Sequence, residues 1–165
     1  MKLELIQPFI NAADAVLAES LRSGTVMGDV TMEEEVYRRK GIAALIWITG
    51  DVEGRVILDL DAATAARVAS LMTGSPIQED DEAAGEAILE LTNQVIGNAI
   101  TSLNDCGFRF KVHPPEVHRS EHGLPTSEDT EAVVMRLDTC CGAVFLNIAL
   151  RYNEPLRLAA SASRP

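Results

Sequence analysis

Residues 82–106 read EAAGEAILELTNQVIGNAITSLNDC, and the fold turns on how that run is placed. On a helical wheel at about 100° per residue, Ile88, Thr92, Val95, Ile96, Ala99 and Leu103 gather on one side as a core-facing stripe. Glu86, Glu90, Asn93, Gly97, Thr101 and Asn104 gather on the other, three or four positions apart, so their side chains are neighbours. The pattern predicts a long helix over 82–106, ended by Gly107. Its outer stripe is chemically unusual. No Lys or Arg occurs from Glu79 through Asp105, so no Glu–Lys pair supports the helix. Asn93 is a poor helix former, and Gly97 costs about 1 kcal/mol against alanine. A helix that gives up stability on its solvent side is a candidate working surface, against the ordinary reading that exposed Glu and Asn are merely solvated. Gly97 lets another backbone come close, Asn93 both donates and accepts hydrogen bonds, and Glu90 supplies a negative charge.

The rest of the chain arranges itself around that helix. Leu3, Ile6, Phe9, Ile10, Ala13, Val16 and Leu17 recur at helical spacing and predict a helix over Leu3–Leu21, with Pro8 a boundary or kink in its first turns. Thr25–Tyr37 contains a strand. Ala43–Thr49 and Arg55–Leu60 read as strands joined by a turn around Gly50, Asp51 and Gly54. Asp61 caps a short helix over Ala62–Thr73. Gly74–Asp81 reads as an acidic loop, and Phe108–Val117 as one strand bent by Pro114 and Pro115. A loop over His118–Asp129 leads to a last strand pair, Ala132–Asp138 and Ala143–Tyr152, about a Cys-Cys-Gly turn. The order helix, strand, strand pair thus occurs twice. Asn11 precedes Asn93 by 82 positions, and Gly54, Val56 and Leu58 precede Gly142, Val144 and Leu146 by 88. We expect an α+β fold with a pseudo-twofold repeat of a helix plus three strands. A largely antiparallel mixed sheet should carry two long helices on one face. The expected domain spans 1–160, with half-repeats at about 1–73 and 78–152, and 161–165 a disordered tail.

Composition narrows the function. The 165 residues are 47% hydrophobic but only 4% aromatic, which predicts a sizeable and mainly aliphatic core. A net charge of −11 argues against nucleic acid and anionic membranes, and favours a partner with a positive patch, or simple solubility. No apolar run approaches the roughly 20 residues that span a bilayer, and Met1–Glu4 does not begin a secretory signal. Three cysteines, Cys106 and the adjacent Cys140 and Cys141, do not form a disulfide framework, so a cytoplasmic setting is expected. Glycine-rich phosphate loops are absent. His113, His118 and His122, with Glu116 or Glu121, invite a zinc reading, but the prolines and Gly123 break any helical ligand spacing, and no metal is assigned. Trp47, in an apolar strand, reads as core.

Three clusters together, Glu90-Leu-Thr-Asn93, Ile96-Gly-Asn-Ala99 and Pro114-Pro-Glu-Val117, resemble the CheC/CheX/FliY family of chemotaxis phosphatases, and CheX-like members most. Glu86 stands where that family usually has Asp or Ser. Family members with two sites carry E-x-x-N on both related helices. Here the first helix keeps Asn11 but has Pro8 in the Glu position, which implies one site per chain.

The resemblance implies a cytoplasmic phosphatase for the phosphoaspartate of a CheY-type receiver, working as a homodimer that joins its sheets. Acyl-phosphate hydrolysis needs in-line attack of water, so positioning and charge do most of the work. Asn93 would orient that water and Glu90 would pair with the receiver's active-site lysine. Glu86, Gly97 and Pro115 would contact the partner. No cofactor is expected on this chain, the Mg²⁺ belonging to the receiver's own carboxylates. The alternatives are a non-catalytic adaptor that binds a response regulator or flagellar switch component through the same helix, and a small metal hydrolase built from the histidines.

Overall fold

The computed structural model describes residues 3–33, 40–119 and 131–153. Helix α1 (Leu3–Leu21) buries Leu5, Ile6, Phe9, Ile10, Ala13, Val16 and Leu17, while Leu3, expected in that stripe, lies exposed. Pro8 sits inside the helix rather than at its boundary. Strand β1 (Val26–Glu33) follows, then the hairpin β2 (Ile42–Gly50) and β3 (Val52–Leu60). Helix α2 (Ala62–Thr73) starts where the Asp61 carboxylate accepts the Thr64 N–H at 2.7 Å, and stops at Gly74, whose φ of 72° a glycine adopts without strain. Helix α3 (Glu82–Asp105) starts on Asp81, which accepts the Ala83 N–H at 3.0 Å. It ends in a Schellman-type closure, with Gly107 at φ 89° and the Phe108 N–H donating to the Leu103 carbonyl. The chain closes with β4 (Phe110–Val112), β5 (Glu116–His118), β6 (Ala132–Thr139) and β7 (Gly142–Tyr152).

The single bent strand expected over 108–117 is two short strands. Both pair with β2, and Pro114 and Pro115 fall between them. Proline has no N–H to give a ladder, so the prolines interrupt the sheet edge rather than bend a continuous strand. Gly54 is not in the turn either. It lies inside β3, opposite Ile48 and Leu150. The 34–37 end of the expected first strand, His122, Glu121 and the expected tail over 161–165 lie outside the described residues.

The strands form one sheet in the order β1-β6-β7-β3-β2-β4, with β5 also on β2, and every described ladder is antiparallel. The order reads the same from either end if each half is exchanged for the other. The first strand of each half crosses over to pair with the other half's hairpin: β1 joins β6, and β4 and β5 join β2. Leu58 and Leu146, matched in the repeat, face each other in the β3–β7 ladder, so the pseudo-dyad passes between them. Gly54 and Gly142, another matched pair, share nearly the same positive φ, 137° and 134°. Shared conformation at glycine is a stronger sign of a repeat than shared leucine.

Helices α1 and α3 pack against each other over one face of the sheet. Alternate strand residues, among them Ile42, Ala44, Ile46, Val56, Leu58, Leu146 and Ile148, join them in one aliphatic core. The opposite face carries a smaller cluster of Ala43, Leu45, Ile57 and Val134, with Trp47 and Phe145 half-buried against it. Trp47 therefore belongs to the lesser face, not to the helix-covered core. Beside it Arg55 is buried and donates to Asn147 Oδ1 at 2.8 Å.

Candidate functional site on helix α3

The sheet fixes which side of α3 meets solvent. Ile88, Thr92, Val95, Ile96, Ala99 and Leu103 are all buried. The one hydroxyl among them, Thr92 Oγ1, is satisfied within the helix by the Ile88 carbonyl at 2.6 Å. Glu86, Glu90, Asn93, Gly97, Thr101 and Asn104 are all exposed. Glu90 and Asn93 are thus one turn apart on an open, convex surface. Such a surface suits a macromolecular partner better than a small molecule, which needs a concave pocket. A cavity of about 350 Å³ does exist, between the ends of α1 and α2, but it is lined by Ser20, Leu21, Arg22, Leu71, Met72, Thr73 and Gly74, none of them on α3.

Two glycines on α3 have opposite reasons to be glycine. At Gly85 a Cβ would stand 2.7 Å from Arg119 Nη2. That guanidinium crosses the first turns and donates to the Asp81 carbonyl at 3.0 Å. It is a cation brought from beyond β5 to a helix start that has none of its own, and sequence reasoning missed it. The signal was a costly glycine inside a helix. At Gly97 a Cβ would meet nothing within 4 Å. Nothing inside the chain asks for glycine there.

Polar contacts along the stripe are local. Gln94 Nε2 donates to Glu90 Oε1 at 2.9 Å, and Thr101 Oγ1 donates to the Gly97 carbonyl at 3.0 Å. Among the described residues no hydrogen bond engages the Asn93 amide. On α1, Asn11 is also exposed, but Gln7 Nε2 donates to its Oδ1 at 2.8 Å, and Pro8 stands where a carboxylate would be. Pro115 is half-buried in the β4–β5 connection, and β5 lies against α3.

The two described histidines each have a polar neighbour. His113 Nε2 lies 3.0 Å from Thr49 Oγ1, and His118 Nε2 3.3 Å from Glu116 Oε2. Among the described residues no group of three or more His, Cys, Asp or Glu side chains converges as a metal site. Cys140 and Cys141 lie at the β6–β7 turn with sulfurs 3.9 Å apart. Burial, then the hydrogen bond and charge of Cys140, push the Cys141 thiol up to about 11 against a weaker pull from Arg67. A thiol so held is a poor nucleophile at neutral pH. Among the described residues no helix is long and apolar enough to cross a membrane.

The profile of the family described as chemotaxis phosphatase CheX matches residues 42–137, more than half of the chain and all of α3. The chain belongs to the CheX family. A curated relative, the CheY-P phosphatase CheX of Thermotoga maritima, is 35% identical over 77 residues, which are 46% of this chain and 50% of the relative. The match therefore spans about half the length of that protein. Solved structures extend the likeness to nearly the whole chain. A CheC-like superfamily protein from Shewanella sp. PV-4 superposes with a TM-score of 0.83 at 22% identity, over 92% of this chain and 99% of that one. The structure of the CheX-CheY-BeF3-Mg²⁺ complex from Borrelia burgdorferi matches with a TM-score of 0.73 at 28% identity, over 91% and 99%. The CheX fold is thus shared across the chain.

Proposed function

We propose that this chain is a phosphatase of the CheX type, which hydrolyses the phosphoaspartate of a CheY-type receiver through one site on α3. The observation that carries the reading is the exposed Glu90–Asn93 pair beside Gly97, a glycine with no internal cause, in a member of the CheX family. It is supported by the relative that acts on CheY-P and by the related CheX found in complex with CheY. Glu90 pairs with the receiver's active-site lysine and fixes the approach. Asn93 enters beside the acyl phosphate, and its amide orients the water that attacks phosphorus in line as the aspartate carboxylate leaves. Gly97 admits the receiver's backbone, while Glu86 and Pro115 extend the contact. Mg²⁺ stays on the receiver's carboxylates, and this chain binds no cofactor. The receiver and this chain meet in the cytoplasm.

The working form is a homodimer. Strand β1 is the outer strand of the sheet, and among the described residues only β6 pairs with it. Val26, Met27, Val30 and Met32, four of the exposed large hydrophobic side chains, all lie on it. Edge strands of that kind are normally covered, and a second copy supplies the cover.

The test is phosphate release from a CheY-type receiver charged with a small phosphodonor and Mg²⁺. Asn93→Ala should slow hydrolysis about 10²–10³-fold, or roughly 3–4 kcal/mol of lost positioning, while leaving binding intact. Glu90→Ala should weaken docking. Undiminished hydrolysis by Asn93→Ala would overturn the catalytic reading, and receiver binding without any acceleration by the wild type would make the chain an adaptor.

A further inference from the structure

We infer that Gln94 is a positioning residue that holds Glu90 ready for the receiver's cation and keeps it off Asn93. The inference rests on the site proposed above and names a residue that the site had not included. Glu90 has Glu86 four positions before it and two amide side chains on the next turn, Asn93 and Gln94. Both carry an amide N–H₂ within reach of a carboxylate, because side chains three and four positions apart meet. If Glu90 accepted from Asn93, the two working groups would satisfy each other, and docking would first have to part them. The structure has the other arrangement. Gln94 Nε2 takes Glu90 Oε1 at 2.9 Å, and the Asn93 amide is engaged by no described residue. Glu90 Oε2 remains for an incoming ammonium. Gln94 is itself exposed, so its packing does not explain its identity. The α1 copy shows the quenched alternative. There Gln7 donates to Asn11 Oδ1, so the asparagine itself is the group tied down, and no carboxylate accompanies it.

A neutral amide–carboxylate contact at this spacing contributes a few tenths of a kcal/mol, which is about a twofold effect. It orders Glu90 in the free protein and persists in the complex, where the receiver's lysine takes Oε2, so its loss should appear in KM rather than kcat. The experiment uses four full-length proteins: wild type, Gln94→Met, Glu90→Ala and the double variant. Each is assayed on the phosphorylated receiver, and each is recorded free by ¹⁵N–¹H spectra of the side-chain amides. Gln94→Met keeps the size and helix propensity but loses the donor. Expected is a KM about twofold higher for Gln94→Met with kcat unchanged, and no effect of the same change in the Glu90→Ala background. The Asn93 side-chain amide signals should move in Gln94→Met and stay in place in the double variant. Equal slowing by Gln94→Met in both backgrounds, or no change in KM or in the Asn93 signals, overturns the role of Gln94 while leaving the site standing. A Glu90→Ala protein as active as wild type overturns the site itself.

Discussion

Gly97 presents its Cα to solvent with 4 Å of empty space where a Cβ would stand. For the isolated chain, alanine there is an improvement, because glycine inside a helix costs about 1 kcal/mol. Gly97→Ala should therefore raise the unfolding free energy read from urea titration by about that amount and raise KM for the phosphorylated receiver. A variant that is stabilised and docks normally would show that the glycine does not serve the partner. Cys141 makes the opposite kind of prediction, about the core. Its thiol is raised from 9.0 to about 11, mainly by burial. In the unfolded chain the thiol ionises near its ordinary value, so the folded state binds this proton more tightly. The stability is full below pH 9 and falls as pH rises from 9 through about 11. Urea midpoints across that range should fall more steeply for wild type than for Cys141→Ala. Equal slopes would place the titration elsewhere.

Among the elements, α1 was legible from its apolar spacing, and α2 and α3 also because their punctuation is local. Asp61 and Gly107 act on atoms within five residues, and each does what its position predicts, while Gly74, read as the start of a loop, also closes α2. The strands were legible less fully: six were expected and seven are found. Gly54 reads as a turn residue, yet it lies inside β3 with the β7 backbone in the place of its Cβ. A Cβ there would stand 1.9 Å from the Ala149 carbonyl oxygen, at a φ that L-residues rarely adopt. Gly54→Ala should cost on the order of 3 kcal/mol, combining backbone strain with a backbone clash. Thermal unfolding checks it, and a near-native midpoint would mean that the two central strands separate without cost. The proline pair was read as a bend, but an edge strand with two missing donors divides into two short strands.

In the whole molecule, each half lends its first strand to the other, so neither half keeps a complete sheet. Both ends of that exchange leave an edge. On one side the prolines guard it, and on the other β1 exposes Val26, Met27, Val30 and Met32. Replacing Val30 and Met32 together by lysine should convert the proposed dimer to a monomer without unfolding it, because both side chains are exposed. Sedimentation velocity reads the outcome, and a wild-type monomer at micromolar concentration would end the proposal. The same measurement on the receiver complex should weaken with salt, since α3 brings carboxylates and no cation of its own to the contact.

The sequence by itself determined the three helices, the Asp61 cap of α2, the Gly107 stop of α3, the duplicated order of elements and the two faces of α3. All of these follow from periodicity and from contacts a few residues apart. It also carried Glu90 and Asn93, because their spacing on one helix is enough to make them neighbours. Only the tertiary structure decided how the halves exchange strands, since edge pairing joins residues far apart in the chain. It brought Arg119 across Gly85, and it separated that filled glycine from the empty one at Gly97. The sequence writes both as a costly residue in a helix. What distinguishes them is whether another part of the chain arrives to occupy the space, and that is a property of the folded molecule alone.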